Sequence, residues 1–341
     1  MRFFVGFVVA SVLSGCGKGE FKPLVVTPPD GASASAIEQA HRACVAVGAP
    51  RIFGATGVCP PEWFRIDGGQ YARFKQSVDW RGSGSAVRVS RDQKLVVKTL
   101  EVSAINRARS EGIHDGMCME KAVHATMGNL DGSTVAVHPI DAGQLTPACE
   151  ALSMVSDYAG GSSLMSLIQR RPFGDSAVAR VGAAAIRILA AVHAKGVIHG
   201  DVHVGNWVTG DASDPARSLK IIDFGRAKPF VGANGLHVAQ GASDVSNLNP
   251  ALLSPWELEG ISQSRRDDMY RLSEMLMLMK HKGPLVRQGL GGNVAQWLQA
   301  KRGRQYGVPR LLADFHEAML QLSFAEAPDY NRWLQRFENA A

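Results

Sequence analysis

Short apolar runs punctuated by Gly, Pro and charged residues fill the chain up to about residue 157, a strand-like pattern. Ala86–Val89, Lys94–Leu100 and Thr134–Val137 are the clearest of them. One helix interrupts the series, with Met117, Val123 and Met127 as its apolar positions. Beyond residue 175 the pattern becomes mostly helical. Val178–His193 is dense in Ala, Ile, Leu and Val, and Met269–Met279 is apolar nearly all round, which marks a helix buried on every side. The chain is therefore expected to be α+β: a small β-rich lobe, then a larger, mainly helical one, with a ligand in the crevice between them.

The N-terminus follows different rules. Met1-Arg2 is a positive start, and Phe3–Leu13 is an eleven-residue apolar run broken only by Gly6 and Ser11. A spanning helix needs about 20 apolar residues, so this run fits the core of a secretory signal instead. Leu13-Ser14-Gly15-Cys16 then resembles the cleavage box of a bacterial lipoprotein, which implies a leader over 1–15 and a lipid on the Cys16 thiol. Each buried acyl CH₂ contributes about 0.8 kcal/mol, so two or three chains anchor a protein to a membrane. Phe21–Ala36 is rich in Pro, Gly, Ser and Ala and reads as a tether, and Ser35–Val47 as a short helix; together they make up a 16–60 connector. The folded domain is expected over 61–341, with its lobes at about 61–157 and 160–341. The location expected is a membrane-anchored lipoprotein, periplasmic or surface-exposed. The alternative is a cytoplasmic chain, or one delivered into a host cell, if the leader is spurious.

Composition narrows the classes. With 341 residues, 45% of them hydrophobic, and five cysteines, the chain is neither a disulfide miniprotein nor a charge-driven disordered segment. Its net charge of +6 comes from scattered basic residues rather than a stripe, so no nucleic-acid partner is expected. Cys44, Cys59, Cys118 and Cys149 form an even set. They are either reduced thiols or, in an oxidising compartment, two disulfides with three possible pairings.

The chemistry lies in two later stretches. His199-Gly200-Asp201-Val202-His203-Val204-Gly205-Asn206 is followed by Ile221-Ile222-Asp223-Phe224-Gly225. Phosphoryl transfer needs a carboxylate to orient the attacking hydroxyl and take its proton. It also needs a carboxylate and an amide to hold Mg²⁺ against the phosphates. An Asp with an Asn five residues on, then a strand ending Asp-Phe-Gly, supplies that set. Upstream, Gly82-Ser83-Gly84-Ser85 lies between strand-like runs, and Lys98 ends the apolar Leu95-Val96-Val97. Glycines let backbone amides approach phosphates closely.

On these residues the chain resembles the eukaryotic-type protein kinase superfamily over roughly residues 64–340. The resemblance implies a bilobal fold, ATP and Mg²⁺ as cofactors, and a protein substrate. It implies a phosphate loop at Gly82, Ser83, Gly84 and Ser85, with Val87 where a third glycine is usual and Val89 under the adenine. Lys98 would grip the α- and β-phosphates, with Glu120 as its helix partner and Glu111 as the other candidate. Met154–Ser162 would be the hinge, with Ser156 as a small gatekeeper and the Asp157 and Ala159 backbone pairing with adenine. Asp201 would be the catalytic carboxylate, and Asn206 and Asp223 would hold metal. Ile221–Lys228, Ser254-Pro255-Trp256-Glu257, Gly260–Asp268 and Leu322–Tyr330 are similar to the casein kinase 1 branch. There Asp268 would anchor the catalytic loop and Glu257 would brace the end of the activation segment.

The chain departs from that pattern at two places. Gly200 stands where the family has Arg, and His203 where it has a Lys that neutralises the transferring phosphate. An imidazole can still donate to phosphate, more strongly if protonated. His-Gly-Asp-x-His-x-x-Asn is also the pattern of aminoglycoside-type phosphotransferases. The expected function is Ser/Thr protein kinase. The alternatives are a small-molecule phosphotransferase and a pseudokinase scaffold.

Overall fold

The computed structural model describes residues 37, 39, 42, 63–66, 70–73, 81–82, 85–90, 92–100, 107–128, 130–138, 140, 152–170, 172–245, 248–281, 293–303 and 307–341. In the N-terminal lobe, β1 (Trp63–Ile66) and β2 (Gln70–Arg73) form an antiparallel pair. Strands β3 (Arg81–Gly82), β4 (Ser85–Val89) and β5 (Leu95–Leu100) begin a five-stranded antiparallel sheet. Helix α1 (Arg107–Met127) follows, and β6 (Val137–His138) and β7 (Ser153–Asp157) complete the sheet in the order β3-β4-β5-β7-β6. Leu100, Met117, Leu152 and Met154 are buried together where α1 lies against β5 and β7.

The strand expected over Thr134–Val137 shrinks to Val137 and His138. Thr134 is buried and its hydroxyl donates to Gly128 O at 2.7 Å, so it closes the turn after α1 instead of joining the ladder. Within the connector expected over 16–60, residues 37, 39 and 42 are helical. Ile37 is fully buried in the main core, so that turn docks on the domain. Residues 1–36, Cys16 included, lie outside the described residues, as do Cys44, Cys59 and Cys149.

The C-terminal lobe opens with β8 (Ser162–Ser163), α2 (Leu164–Arg170) and α3 (Asp175–Ala194), followed by β9 (Val197–Ile198), β10 (Trp207–Thr209), β11 (Leu219–Ile221) and β12 (Lys228–Pro229). Helices α4 (Pro255–Leu258), α5 (Arg265–His281), α6 (Val294–Arg302), α7 (Arg310–Leu320) and α8 (Tyr330–Glu338) complete it. As the apolar pattern predicts, α5 is the central helix: Met269, Tyr270, Leu272, Met275, Leu276, Met277 and Met279 are all buried. Helix α3 packs on α5 and α8, and Gly182 permits this, because a Cβ there would meet the Phe337 ring at 2.5 Å. α3 is also the one described helix long and apolar enough to cross a membrane, but most of it is buried as a core helix.

Candidate active site

Two antiparallel strand pairs set the site. β9 pairs with β12, and β10 with β11. The segment 199–206 runs from β9 to β10, and Asp223–Gly225 runs from β11 to β12. The register Ile198↔Lys228 and Trp207↔Ile221 therefore holds the two motif loops side by side. The Ile222 amide donates to Asn206 O at 2.9 Å and ties them directly.

Lys98 projects from β5 beneath the sheet. Its Nζ lies 2.7 Å from Glu120 Oε2 on α1 and 2.7 Å from Asp223 Oδ1. One ammonium thus serves two carboxylates. Burial opposes charge on Lys98, but Glu120 and Asp223 outweigh it and raise its pKa. Burial, together with the nearby Asp223 charge, pushes Glu120 up despite Lys98. Asp223 is lowered, because its bond to Lys98 overcomes burial. Asp223 adopts φ 65°, a region that non-glycine residues occupy mainly when they are Asp or Asn, and Phe224 beside it is fully buried. The Phe224 ring sits edge-on to His124 at 5.0 Å and to His199 at 4.7 Å, which locks the turn under α1.

Asp201 faces the same space. Asn206 Nδ2 donates to its backbone O at 3.0 Å and to its Oδ2 at 3.2 Å. Arg226 Nη1 lies 3.4 Å from Oδ1, Arg271 Nη1 3.7 Å from it, and His203 Nε2 3.5 Å from Oδ2. Although burial opposes ionisation, the His203 hydrogen bond and the neighbouring positive groups hold Asp201 well below the usual carboxylate range. Gly205 N–H donates to His203 Nδ1 at 3.0 Å. That places the ring proton on Nε2, toward Asp201, so His203 is engaged with the carboxylate.

The loop rests on α5. Asp268, fully buried, accepts the amides of His199 at 2.7 Å and Gly200 at 2.9 Å, and His193 Nε2 at 3.0 Å. His199 Nε2 donates to Ile222 O at 3.0 Å, and its Nδ1 accepts the Asp201 amide at 3.2 Å. Burial lowers the His199 pKa, in keeping with this neutral ring. Glu257 caps α4 in a reciprocal box with Ser254 and also accepts Arg226 Nη2 at 3.1 Å, Gln263 Nε2 at 2.7 Å and Arg271 Nη2.

The other expected residues are placed as follows. Gly82 and Ser85 pair across β3 and β4, and Ser83 and Gly84 lie outside the described residues. Val89 pairs with Val96. In the hinge, Asp157 N–H is taken by Ala136 O at 2.9 Å, and its carbonyl accepts the Ser156 hydroxyl at 3.4 Å with a second lone pair to spare. Ala159 lies two residues on, past the end of β7, and Ser156 is buried in β7. Glu120 pairs with Lys98, and the Glu111 side chain lies outside the described residues. Residues 199–206 and 221–225 said nothing of Arg226, Gln263 or Arg271. Arg226 and Gln263 lie in the Ile221–Lys228 and Gly260–Asp268 segments without a role having been read for them, and the signal for Arg271 was a charged residue within the buried stretch Met269–Met279, which must find partners.

Two hard oxygen donors fit Mg²⁺. They are the Asp223 carboxylate, 44% exposed, and Asn206 Oδ1, left over when Nδ2 turns to Asp201. Among the described residues no group of three or more His, Cys, Asp and Glu forms a closed metal cage.

Fold and site together define a bilobal phosphotransferase-like protein. The family description "Protein kinase domain" matches residues 82–315, and the chain belongs to that family. A probable casein kinase I homolog of Encephalitozoon cuniculi is 27% identical over 188 residues, covering 49% of this chain and 56% of that one. A casein kinase 1-like protein of Oryza sativa subsp. japonica is 31% identical over 172 residues, covering 47% and 24%. The chain thus matches about half, or less, of the length of these relatives. The solved structure of vaccinia related kinase 3 shares the fold, with TM-score 0.61 and 15% identity over 84% of this chain and 92% of that one.

Proposed function

We propose that the chain is an ATP- and Mg²⁺-dependent kinase acting on Ser or Thr of a protein. The observation that carries this reading is the convergence of Lys98, Glu120, Asp223, Asn206 and Asp201 at the facing edges of the two lobes. Lys98 would hold the α- and β-phosphates, and the Asp157 and Ala159 backbone the adenine. Asn206 and Asp223 would hold Mg²⁺, which neutralises charge on the phosphates when bound. Asp201 would accept a hydrogen bond from the substrate hydroxyl, aim its oxygen at the γ-phosphorus and take its proton as the bond to ADP breaks. Because its lowered pKa makes Asp201 a weak base, its contribution is mainly orientation.

A polypeptide acceptor is favoured by the 226–253 stretch. It leaves Leu236, Val238, Leu248 and Leu252 exposed, apolar side chains that suit contact with an extended chain. The test offers ATP to a generic acidic protein, a peptide library and aminocyclitols. Label on protein Ser or Thr supports the reading, and label only on aminocyclitols transfers it to the small-molecule class.

We further propose that Cys16 carries lipid and anchors the domain to a bacterial membrane. Cys118 supports export: it is disulfide-bonded, as an oxidising compartment permits. Cys16→Ala is expected to move the protein from the membrane fraction to the soluble one.

A further inference from the structure

Residue 200 has no side chain and has no room for one. Gly200 adopts φ 74°, and a Cβ there would lie 2.4 Å from Arg226 O and 3.0 Å from Gln263 Oε1. Residue 200 therefore offers no side chain toward Asp201, and besides Asn206 and His199 within the segment, support comes from outside it. Helix α5 supplies this with two residues one turn apart on the same face, Asp268 and Arg271. Asp268 takes the amides of His199 and Gly200. Arg271 takes the opposite end of the peptide: its Nη1 donates to Gly200 O at 2.5 Å and lies 3.7 Å from Asp201 Oδ1. Its Nη2 pairs with Glu257 Oε2. One guanidinium thus joins the Asp201 loop to the cap of α4, where the 226–253 stretch ends.

We propose that Arg271 is a positioning residue that fixes the Asp201 carboxylate against the acceptor hydroxyl. The proposal rests on the kinase reading above. Fold stability alone accounts poorly for Arg271. It is almost fully buried, and its Nε has no hydrogen-bond partner. A buried ion pair of this kind can commonly be replaced by apolar residues at no loss of stability. Its fork, by contrast, fits two acceptors at once, one on each loop that meets the substrate, and a lysine cannot reproduce that. Arg226 reaches the same Asp201 oxygen but is partly exposed, whereas Arg271 is buried, so Arg271 is the fixed member of the pair.

The test uses the full chain with MgATP and an acceptor protein. R271K keeps the charge and loses the fork. R271Q/E257Q replaces the pair with neutral hydrogen-bonding groups, so that neither member is left as a lone buried charge. For both variants the expected result is an unchanged thermal midpoint, a KM for ATP within about threefold of wild type and kcat lower by about 100-fold, the scale of a misplaced catalytic group. A folded variant whose kcat stays within threefold of wild type overturns the proposal. So does failure of both variants to fold, which assigns Arg271 to stability alone. So does an equal loss in kcat and ATP affinity. A wild-type chain that binds MgATP and transfers no phosphate overturns the kinase reading, and the proposal with it.

Discussion

Lys98 Nζ lies 2.7 Å from Glu120 Oε2, across 22 residues of sequence, and that carboxylate is only 2% exposed. The pair ties the sheet to α1 and brings the ammonium to the cleft. Removing the lysine leaves Glu120 facing Asp223 without a counter-ion. K98M is expected to abolish phosphoryl transfer and to lower stability by about 3–5 kcal/mol, as measured for broken buried pairs. K98M/E120Q is expected to recover part of the stability and none of the activity. Denaturant melts and a phosphotransfer assay separate the two effects.

His124 sits one turn beyond Glu120, against Phe224, and burial, helped by the nearby Lys98 charge, lowers its pKa to about 4. The native state therefore favours the neutral ring relative to the unfolded chain. Its contribution is fully present above about pH 6.5 and is lost as pH falls toward 4, reaching about 3 kcal/mol. His124→Phe, which does not titrate, is expected to flatten this part of the stability profile between pH 6.5 and 4. A variant whose profile parallels wild type across that window contradicts the assignment.

Cys118 is buried and disulfide-bonded two residues before Glu120. C118A is expected to lower stability by about 2–4 kcal/mol, the common range for a native disulfide. Dithiothreitol is expected to lower the thermal midpoint of wild type and to leave C118A unmoved. Equal sensitivity of both proteins to the reductant contradicts this role.

Gly200 should tolerate no side chain. G200A places a Cβ 2.4 Å from Arg226 O in a left-handed backbone, whose conformational penalty alone is about 1–2 kcal/mol. Loss of kcat is expected to accompany the loss of stability, because the Asp201 peptide must shift. Kinetics and melts of G200A beside wild type check both.

Much of this architecture was legible in the chain because local rules and fold agreed. The run Met269–Met279, apolar nearly all round, reads as an interior helix, and Asp201, Asn206 and Asp223 lie on loops whose strands pair with one another. Where side-chain bonds overrode propensity the reading failed, as at Thr134, whose hydroxyl closes a turn instead of extending a strand. The Arg271 clamp was hidden for another reason. It joins residues 71 and 14 positions apart, and nothing in a linear pattern says which loop a buried arginine meets. Gly200 is a departure from the kinase pattern, and what the linear pattern could not show is that the loop of this chain has no room for a side chain there.

The central claim is that Asp201, held between Asn206, Arg226 and Arg271, directs transfer of the γ-phosphate of ATP to a hydroxyl of a protein. The most direct measurement is transfer from γ-labelled ATP with Mg²⁺ to an acidic acceptor protein, followed by phosphoamino-acid analysis, for wild type and D201A. The account predicts label on Ser or Thr with wild type, its loss on removal of Mg²⁺, and none with D201A while nucleotide binding persists. Equal labelling by wild type and D201A, or no labelling by a wild type that binds MgATP, would contradict it.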